Sequence, residues 1–306
     1  MVIFARNYHI PVMLNEVVQG LAIVPIGNYA DVTFGGGGHA KKIVELLTAG
    51  HLFAFDKDPN AAQIAQFFTN QSFTFTRAPF RFVKEFLNFY GVITLDGLLA
   101  DLGTSSYQID TPERGFSTRF DSKLDMRMDP KSPRTAEAIL HSYTEGQLAQ
   151  LLYVYGEVAQ AAPIAKAIVK ARSYTPIVTT YQLKTIVEPF APKTKKDQYF
   201  AKIFQSFRIE VNNELTELKN LLNQSIDIIK PQGRIAIIAY HSLEDRLVKN
   251  FLNTGNVLGK IERDAYGKLL RPFIPLQKKA FMPSIEEIHS NRRSRSARLR
   301  IGIRVG

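Results

Sequence analysis

The chain has 306 residues, of which 45% are apolar and 22% charged, a mixture typical of a globular protein with one large or two unequal domains. Its 39 lysines and arginines outnumber its 28 acidic residues, and the resulting formal net charge of +11 favours a polyanionic partner such as nucleic acid. The absence of cysteine excludes disulfide scaffolds, thiolate metal sites and cysteine nucleophiles.

Short apolar segments with strand character alternate with helix-like segments in the first hundred residues. This spacing predicts parallel strands with covering helices, and right-handed crossovers then give a doubly wound, Rossmann-like α/β sheet. The predicted strands are residues 29–34, 52–55, 73–76 and 95–102, and the predicted helices are residues 40–47, 59–68 and 83–90.

After residue 102 the alternation stops, and residues 106–210 contain helical segments and prolines but no convincing buried strand. We interpret this part as an inserted, mainly helical domain for substrate recognition, which interrupts an α/β domain made of residues 1–105 and 211–306. A long amphipathic helix from Phe204 to Ile229 is expected to lead back into the sheet. Further strands are predicted at residues 234–240 and 297–305.

A run of four glycines, Gly35 to Gly38, joins the first predicted strand to the first helix. Such a loop can turn tightly and approach a ligand, and the following helix offers free N–H groups. With Asp56 about 20 residues further on, the pattern Gly35-x-Gly37-x-x-Ala40 fits a dinucleotide site. The same geometry suits S-adenosylmethionine, which needs a carboxylate near its charged methionine end. The loop alone leaves both cofactors open.

Three aspartates, Asp31, Asp56 and Asp101, stand at the ends of predicted parallel strands. The carboxyl ends of the strands form the ligand crevice in an open α/β sheet, so we expect the three side chains to surround one cleft. Asp31 would be the carboxylate at the methionine end of the cofactor. His241, after the fifth predicted strand, is expected at the mouth of the same cleft.

Local capping patterns mark two predicted helix starts. Asp58 precedes Pro59 and fits an N-cap. Ser242 with Asp245 fits a variant of the capping box. These patterns predict helices directly after the second and fifth strands.

Patterns of several other protein classes are absent from the sequence. There is no G-x-S-x-G elbow of a serine hydrolase, and the six histidines include no H-x-x-x-H pair of a zinc site. No apolar run approaches the roughly 18–20 residues of a membrane span. The first residues, interrupted by Arg6, lack the pattern of a signal peptide. We therefore expect a soluble cytoplasmic protein without a metal.

Seven motifs occur in one order along nearly the whole chain: D-x-T-F-G-G-G-G-H, F-D-K-D-P, D-L-G-T-S-S-x-Q-x-D, R-G-F-S, L-D-M-R-M, Y-H-S-L-E-D-R and R-S-A-R-L-R. Together they closely resemble the bacterial small-subunit ribosomal RNA cytidine N4-methyltransferases, the RsmH or MraW family. The resemblance implies a class I, Rossmann-like methyltransferase sheet with an inserted helical domain. It also implies S-adenosyl-L-methionine as methyl donor and a decoding-centre cytidine of 16S ribosomal RNA as acceptor.

The resemblance also assigns site residues. Carried over by motif, the cofactor contacts are Gly37, Gly38, His39, Asp56, Phe80 near the adenine, Asp101 and Gln108. Asp101 is in addition a candidate acceptor for the cytidine amino group, unless a backbone carbonyl of the same loop has that role and Asp101 serves the cofactor alone. His241 is a second candidate catalytic residue, for positioning the base. The sequence departs from the family pattern at Val32, Thr118, Ser122 and Lys123.

RNA binding is expected to be mostly electrostatic, with 16S ribosomal RNA or the small ribosomal subunit as partner. Residues 291–300 contain five arginines, and Arg114, Arg119 and Arg127 flank the insertion. Two other functions stay open from the residues alone, a non-catalytic RNA-binding ribosome-assembly factor and an NAD-dependent oxidoreductase. The oligomeric state, monomer or homodimer, is also open.

Overall fold

The structure, a computed structural model, describes residues 11–306. The segment that contains Arg6, on which the signal-peptide prediction rests, lies outside the described residues. These residues divide into two units, the first made of residues 11–103 and Leu215–Gly306 and the second of Thr104–Glu214. No helix within residues 11–306 combines the length and the hydrophobicity of a membrane span.

The chain forms seven strands and thirteen α-helices within the described residues. The strands are β1 (Asn28–Asp31), β2 (His51–Phe55), β3 (Phe73–Thr76), β4 (Leu95–Asp101), β5 (Ile229–Ala239), β6 (Phe273–Pro275) and β7 (Arg298–Arg304). The helices are α1 (Leu14–Leu21), α2 (Gly38–Leu46), α3 (Pro59–Ala65), α4 (Val83–Phe89), α5 (Ser106–Asp110), α6 (Ala136–Ser142), α7 (Glu145–Gly156), α8 (Ala161–Arg172), α9 (Thr180–Val187), α10 (Lys196–Asn212), α11 (Glu214–Ile228), α12 (Ser242–Thr254) and α13 (Ile285–Ser290).

The first unit contains all seven strands in one sheet with the order β3-β2-β1-β4-β5-β7-β6. Strands β1 to β5 are parallel, and β7 runs antiparallel to both β5 and β6. The strand order reverses at β1, which lies between β2 and β4, so a crevice opens at the carboxyl ends of β1 and β4. The predicted Rossmann-like α/β sheet is confirmed.

Helices cover both faces of this sheet. Along β5, Ile235 and Ile237 pack with α4, α11 and α12, whereas Ala236 and Ile238 pack with α1, α2 and α3. Successive side chains of a strand point to opposite faces, so a strand covered on both sides is apolar at nearly every position. Each fully buried Ile contributes roughly 1.5–3 kcal/mol relative to exposure, which fixes β5 in the middle layer.

The single long helix predicted from Phe204 to Ile229 is wrong. The structure has two helices, α10 and α11, separated at Asn213, whose φ of 52° and ψ of 34° lie in the left-handed region. Asparagine tolerates this conformation better than most residues, and one such residue ends a right-handed helix. The apolar pattern continues across the break because both helices bury one face, so periodicity does not reveal it.

The chain re-enters the sheet through an irregular start of β5. The register with β4 jumps from Leu95 opposite Ile229 to Gly97 opposite Arg234, so residues 230–233 leave the ladder. Gln232 in this bulge has a φ of 67°. This is the Lys-Pro-Gln-Gly segment, in which Pro cannot continue the preceding helix and Gln232, not Gly233, takes the left-handed conformation. Gly233 provides space instead, since a Cβ atom there would lie 2.9 Å from the Lys230 carbonyl oxygen.

The second unit consists of α5 to α10 around a core of its own and contains no strand within Thr104–Glu214. Its R-G-F-S and L-D-M-R-M motifs contact each other. The Arg114 guanidinium donates to the carbonyl oxygens of Arg127 (2.9 Å) and Met128 (3.0 Å). The Asn212 side chain accepts from the Met128 N–H (2.8 Å) and donates to the Met126 carbonyl oxygen (2.8 Å). These motifs therefore stabilise the second unit.

Candidate active site

The candidate active site lies at the carboxyl ends of the parallel strands, around the loop between β1 and α2. Asp31 Oδ1 accepts a hydrogen bond from the Thr33 N–H (3.1 Å), and Asp56 Oδ2 accepts one from the Gly35 N–H (2.8 Å). The Asp101 N–H donates to the Thr33 hydroxyl oxygen (2.6 Å). The structure thus brings the three aspartates at the carboxyl ends of β1, β2 and β4 together around one loop.

Glycine is required where this loop enters α2. Gly37 has a φ of 74°, and a Cβ atom there would lie 2.8 Å from ring atoms of Phe34 and Phe68. A Cβ atom on Gly38 would lie 3.1 Å from the ring of Pro11. The N-cap residue of α2 is Gly37, which has no side chain to cap the helix, so within residues 11–306 the first N–H groups of α2 are available to a ligand that carries a partial negative charge.

His39 in the first turn of α2 is buried and contacts Asp101. Its Nε2 lies 3.0 Å from the carbonyl oxygen of Val12, so Nε2 carries the proton and donates it. Its Nδ1 faces Asp101 Oδ2 at 3.8 Å. Burial lowers the pKa of His39, and the ring is therefore neutral near pH 7.

The carboxyl groups of the crevice are difficult to ionise in the absence of a ligand. Burial raises the pKa of Asp31 to about 7, although the neighbouring His39 and the hydrogen bond from Thr33 lower it, and the charges of Asp101 and Asp56 raise it further. Burial raises the pKa of Asp56 as well. Asp101, whose side chain is 21% exposed at the crevice, also has its pKa raised to about 7 by burial.

Tyr240, directly after β5, counteracts the rise in the pKa of Asp101. Its hydroxyl donates a hydrogen bond to Asp101 Oδ1 (2.7 Å), which favours the ionised carboxylate. The negative charge of Glu244 acts in the opposite direction and raises the Asp101 pKa. Burial and the charge of Asp101 raise the pKa of Tyr240 itself well above its ordinary value, so the phenol remains a donor.

This set of groups fits a ligand that carries a positive charge. Within residues 11–306, no lysine or arginine is ion-paired with Asp31 or Asp101, and the neighbouring His39 is neutral. A sulfonium and an ammonium group would supply the missing positive charge, whereas a pyrophosphate would add negative charge beside buried carboxylates. The donor chemistry therefore favours S-adenosylmethionine over a dinucleotide.

The helix after β5 begins differently from the capping-box prediction, which is wrong for Ser242 and Asp245. His241 is the N-cap of α12, with its Nδ1 3.5 Å from the Glu244 N–H, and Glu244 Oε2 accepts from the Tyr240 N–H (3.0 Å). The Nε2 atom of His241 lies 3.2 Å from Glu244 Oε1. The Nδ1 atom of His241 thus caps α12, whereas its Nε2 is buried and makes no hydrogen bond within residues 11–306. The N-cap predicted for Asp58 is confirmed, since its carboxylate accepts from the Asn60 N–H (2.9 Å).

The two remaining predicted contacts lie in different parts of the chain. Phe80 begins a single 3-10 turn after β3, and its half-buried ring packs against the core that includes α4. Gln108 belongs to the second unit, where it is buried and forms a capping box with Ser105 at the start of α5. Their contacts with a cofactor stay predictions.

Sequence reasoning missed two residues of this site. Thr33 accepts the Asp101 N–H, and Tyr240 donates to the Asp101 carboxylate. Both occupy strand ends, which is the signal that could have found them. The sequence does not show that these two hydroxyl groups point at the same aspartate, because they are 207 positions apart in the chain, from residue 33 to residue 240.

Comparison with known proteins agrees with this geometry. The model of the family described as "MraW methylase family" matches residues 6–304. The chain belongs to the MraW methylase family. It is 54% identical to the "Ribosomal RNA small subunit methyltransferase H" of Amoebophilus asiaticus, over 98% of this chain and 97% of that protein. Identically named proteins of Cytophaga hutchinsonii (50% identity, 97% and 99% coverage) and Flavobacterium johnsoniae (48% identity, 98% and 98%) are also similar.

Backbone contacts hold the four positions at which we expect this MraW methylase to depart from the family pattern. Val32 is buried, and its N–H donates to the Leu99 carbonyl oxygen (3.0 Å). The carbonyl oxygen of Thr118 accepts from the Lys184 ammonium (2.9 Å), and the Ser122 N–H donates to the Thr180 hydroxyl (3.0 Å). Lys123 forms a bridge with Thr179. None of these backbone contacts depends on the side chain at the unusual position.

Proposed function

We propose that this MraW methylase transfers a methyl group from S-adenosylmethionine to the exocyclic N4 amine of a cytidine in the decoding centre of 16S ribosomal RNA. The observation that carries the proposal is the near-full-length identity of 54% to a ribosomal RNA small subunit methyltransferase. The crevice chemistry supports it independently, because buried carboxylates meet there without a lysine or arginine partner among residues 11–306. The cytoplasmic location expected from the sequence is part of this proposal.

Named residues would hold the cofactor in this crevice. Asp31 would bind its ammonium group, Asp56 its ribose hydroxyls, and the N–H groups at the start of α2 its carboxylate. When bound, S-adenosylmethionine supplies an electrophilic methyl group on a sulfonium centre that leaves as a neutral thioether. His39 is neutral and held on Val12, so it adds no competing positive charge.

Asp101 would act on the cytidine. The N4 lone pair of cytidine is delocalised into the ring, so an acceptor for the amino hydrogens is needed to direct it at the methyl carbon. Methylation of N4 would release one proton, which the Asp101 carboxylate would accept. A carboxylate with a pKa of about 7 accepts and releases a proton readily near neutral pH. His241, the other predicted catalytic residue, would position the base from the start of α12.

The arginine-rich segment supports RNA binding at this edge of the sheet. Since β7 is antiparallel to β5, its first residue Arg298 pairs with Ala239 at the carboxyl end of β5. Arg292 and Arg295 are exposed in the turn immediately before β7. Arg300 instead donates to Asp245 (2.6 Å) from a partly buried position and is structural. The exposed arginines would contact RNA phosphates beside the crevice.

We also assign substrate recognition to the second unit. It exposes several tyrosine side chains, which suit stacking on RNA bases. They are Tyr107, Tyr153, Tyr174 and Tyr181. Of the flanking arginines, Arg119 is exposed, whereas Arg114 and Arg127 use their guanidinium groups inside the unit.

Nucleotide-resolution mapping of methylcytidine in ribosomal RNA, with and without this protein, tests the proposal. We expect one N4-methylated decoding-centre cytidine that depends on the protein. Asp56→Ala and Asp101→Ala should abolish the methylation while the thermal midpoint shows a folded protein. The control Asp227→Ala removes an exposed carboxylate that pairs with Lys84 on the protein surface and should leave methylation unchanged.

Three outcomes would contradict the proposal. Full methylation by both crevice variants would place the site elsewhere. RNA binding without methyl transfer by the wild-type protein would indicate an assembly factor, and binding of NAD in place of S-adenosylmethionine would indicate an oxidoreductase.

A further inference from the structure

Helix α12 has a basic solvent face. Its buried positions include both of its acidic residues, Glu244 and Asp245. Its exposed positions include Arg246 and Lys249, which lie three residues apart and therefore on one side of the helix. The 13 residues of α12 span roughly 20 Å, at about 1.5 Å per residue. The helix therefore carries positive charge away from the crevice edge, where it starts.

The helix leads into a well-anchored arm, residues 256–272, which connects α12 to β6. At its start, the Asn250 side chain donates to the Val257 carbonyl oxygen (3.2 Å), and the Asn256 side chain accepts from the Lys260 N–H (3.0 Å). At its end, the Pro272 carbonyl oxygen accepts from the Val305 N–H (2.9 Å). Both ends of the arm are thus fixed to regular elements of the first unit.

The middle of the arm is a tight turn that presents charge and an aromatic ring. The Asp264 carboxylate accepts from the N–H groups of Tyr266 and Lys268 (both 2.9 Å), and Arg263 donates to the Gly267 carbonyl oxygen (2.6 Å). The Tyr266 side chain at the tip is 97% exposed. A ring held at the tip of an ordered turn loses little further conformational freedom when it stacks on a planar partner.

Positive charge dominates the exposed side chains from α12 to the tip of the arm. Within residues 242–272, which the structure describes completely, Glu262 is the exposed acidic residue. Glu244 and Asp245 are buried, and the Asp264 carboxylate holds the turn. We define the basic track as the exposed cations of this stretch. They are Arg246, Lys249, Lys260, Arg263 and Lys268.

We propose that the basic track and Tyr266 form a second contact surface for ribosomal RNA, which follows the RNA backbone from the crevice edge along α12 to the arm. The proposal rests on the proposed function, because it names a further part of the same substrate. A row of like charges with one intervening acid fits a partner whose negative charges repeat every few ångströms along a strand. An exposed tyrosine beside lysines is the usual combination for stacking on an unpaired base.

Binding of protein-free 16S ribosomal RNA and of intact small subunits, measured at several salt concentrations, tests this surface. The variant Lys249→Ala/Lys268→Ala should bind RNA about tenfold more weakly at moderate salt. Its plot of log affinity against log salt should be flatter by roughly 1.4–1.8, the contribution of two lost phosphate contacts. Tyr266→Ala should lower affinity about tenfold with an unchanged salt slope, and Tyr266→Phe should restore it.

The control variant Lys84→Ala/Lys219→Ala removes two cations of α4 and α11 that do not belong to the basic track, and should bind like wild type. All variants should bind S-adenosylmethionine normally. In methyl transfer, the track variants should raise KM for the subunit and leave kcat unchanged.

Three results would overturn the inference. Track and control variants could bind RNA equally well. The track variants could bind intact subunits more weakly but protein-free RNA normally, which would make a ribosomal protein the partner. A change in oligomeric state on mutation would make a second copy of the chain the partner. Failure of the wild-type protein to methylate RNA would instead count against the proposed function.

Discussion

Asp101 combines accessibility with a proton affinity suited to neutral pH. It ends β4 with its side chain partly exposed to the crevice, and burial raises its pKa to about 7. The groups that face it are Tyr240 after β5, Glu244 in α12, His39 in α2 and Asp31 in β1. Of these, only the Tyr240 hydroxyl donates a hydrogen bond of ordinary length to the carboxylate among the described residues.

Tyr240→Phe should therefore shift the pH dependence of methyl transfer. Without the hydrogen bond, the Asp101 pKa rises further, so less carboxylate is ionised at a given pH. The acidic limb of the kcat/KM profile should move to higher pH, with about a tenfold loss at pH 6.5 and nearly full activity at pH 8.5.

Tyr29→Phe is the matched control, since it removes a hydroxyl that accepts a hydrogen bond from the Val24 N–H (2.7 Å) near the amino end of β1, away from the crevice. It should leave the profile unchanged. A loss in Tyr240→Phe that is equal at every pH would show that Tyr240 has only a structural role.

Asp31→Asn should change how the stability of the cofactor-free protein depends on pH. The folded-state pKa of about 7 exceeds the unfolded value near 3.8, so the wild-type protein loses stability as pH rises from about 4 through 7. The variant lacks this loss and should have the larger free energy of unfolding at pH 8, a gain that shrinks towards pH 5. Urea unfolding at three pH values measures the effect.

With saturating S-adenosylmethionine, the order of the two proteins should reverse, because only the wild-type carboxylate can pair with the ammonium group. A stability gain in Asp31→Asn that does not vary with pH would contradict the raised pKa of Asp31.

At the residue scale, sequence analysis predicted those site residues whose location follows from one structural rule. Asp31, Asp56 and Asp101 follow strands, and parallel strands end at one edge. Thr33 and Tyr240 were missed because their importance lies in contacts across the sheet. The capping prediction for Ser242 failed because His241 and Glu244 cap α12 instead.

Among the elements, the loop between β1 and α2 makes the strictest demand on residue type. Gly37→Ala should weaken cofactor binding at least about tenfold, because an L-residue in the left-handed region costs roughly 1–2 kcal/mol and its Cβ would also clash with Phe34 and Phe68. Isothermal titration with S-adenosylmethionine measures the loss.

Gly91→Ala provides the control for this substitution. Gly91 has a φ of 73°, close to that of Gly37, but a Cβ atom there would have no neighbour within 4 Å. It should lower stability by about 1 kcal/mol and leave cofactor affinity unchanged. Equal affinities for Gly37→Ala and wild type would show that the loop tolerates a side chain at this position.

Element prediction worked where one physical signal dominates. The strand predicted at residues 73–76 coincides with β3, and β4 differs from its prediction by one residue at its end. Helix α10 was merged with α11 because a break at one left-handed residue leaves the apolar periodicity intact. Strand β6, three residues long, is too short to give a pattern of its own.

For the whole molecule, hydrogen exchange with and without S-adenosylmethionine should show which parts of the two units respond to the cofactor. Bound ligand suppresses local opening around its site, so amides at the ends of β1, β2 and β4 and in the first turn of α2 should gain protection. If Gln108 contacts the cofactor, α5 should be the segment of the second unit that gains protection. Unchanged exchange in α5 would refute the Gln108 assignment.

The overall architecture was predictable because its signals are long. Alternating strands and helices indicate the α/β unit, and a hundred residues with helical composition indicate the second unit. The chain leaves the first unit after Gly103 and returns to it at Leu215, whereas the sequence had predicted these boundaries at residues 105 and 211. The amino-acid composition does not reveal these unit boundaries, because α10 runs on to Asn212 and only the backbone conformation at Asn213 separates it from α11.

The position of β4 in the sheet has a consequence for biosynthesis. One edge of β4 pairs with β5, which begins 128 residues after β4 ends at Asp101. At about 5–20 residues per second, a translating ribosome needs roughly 6–26 s to cover that distance. Throughout this interval one edge of β4 has no neighbouring strand, and its unpaired N–H and C=O groups make the nascent chain prone to aggregation until β5 is synthesised.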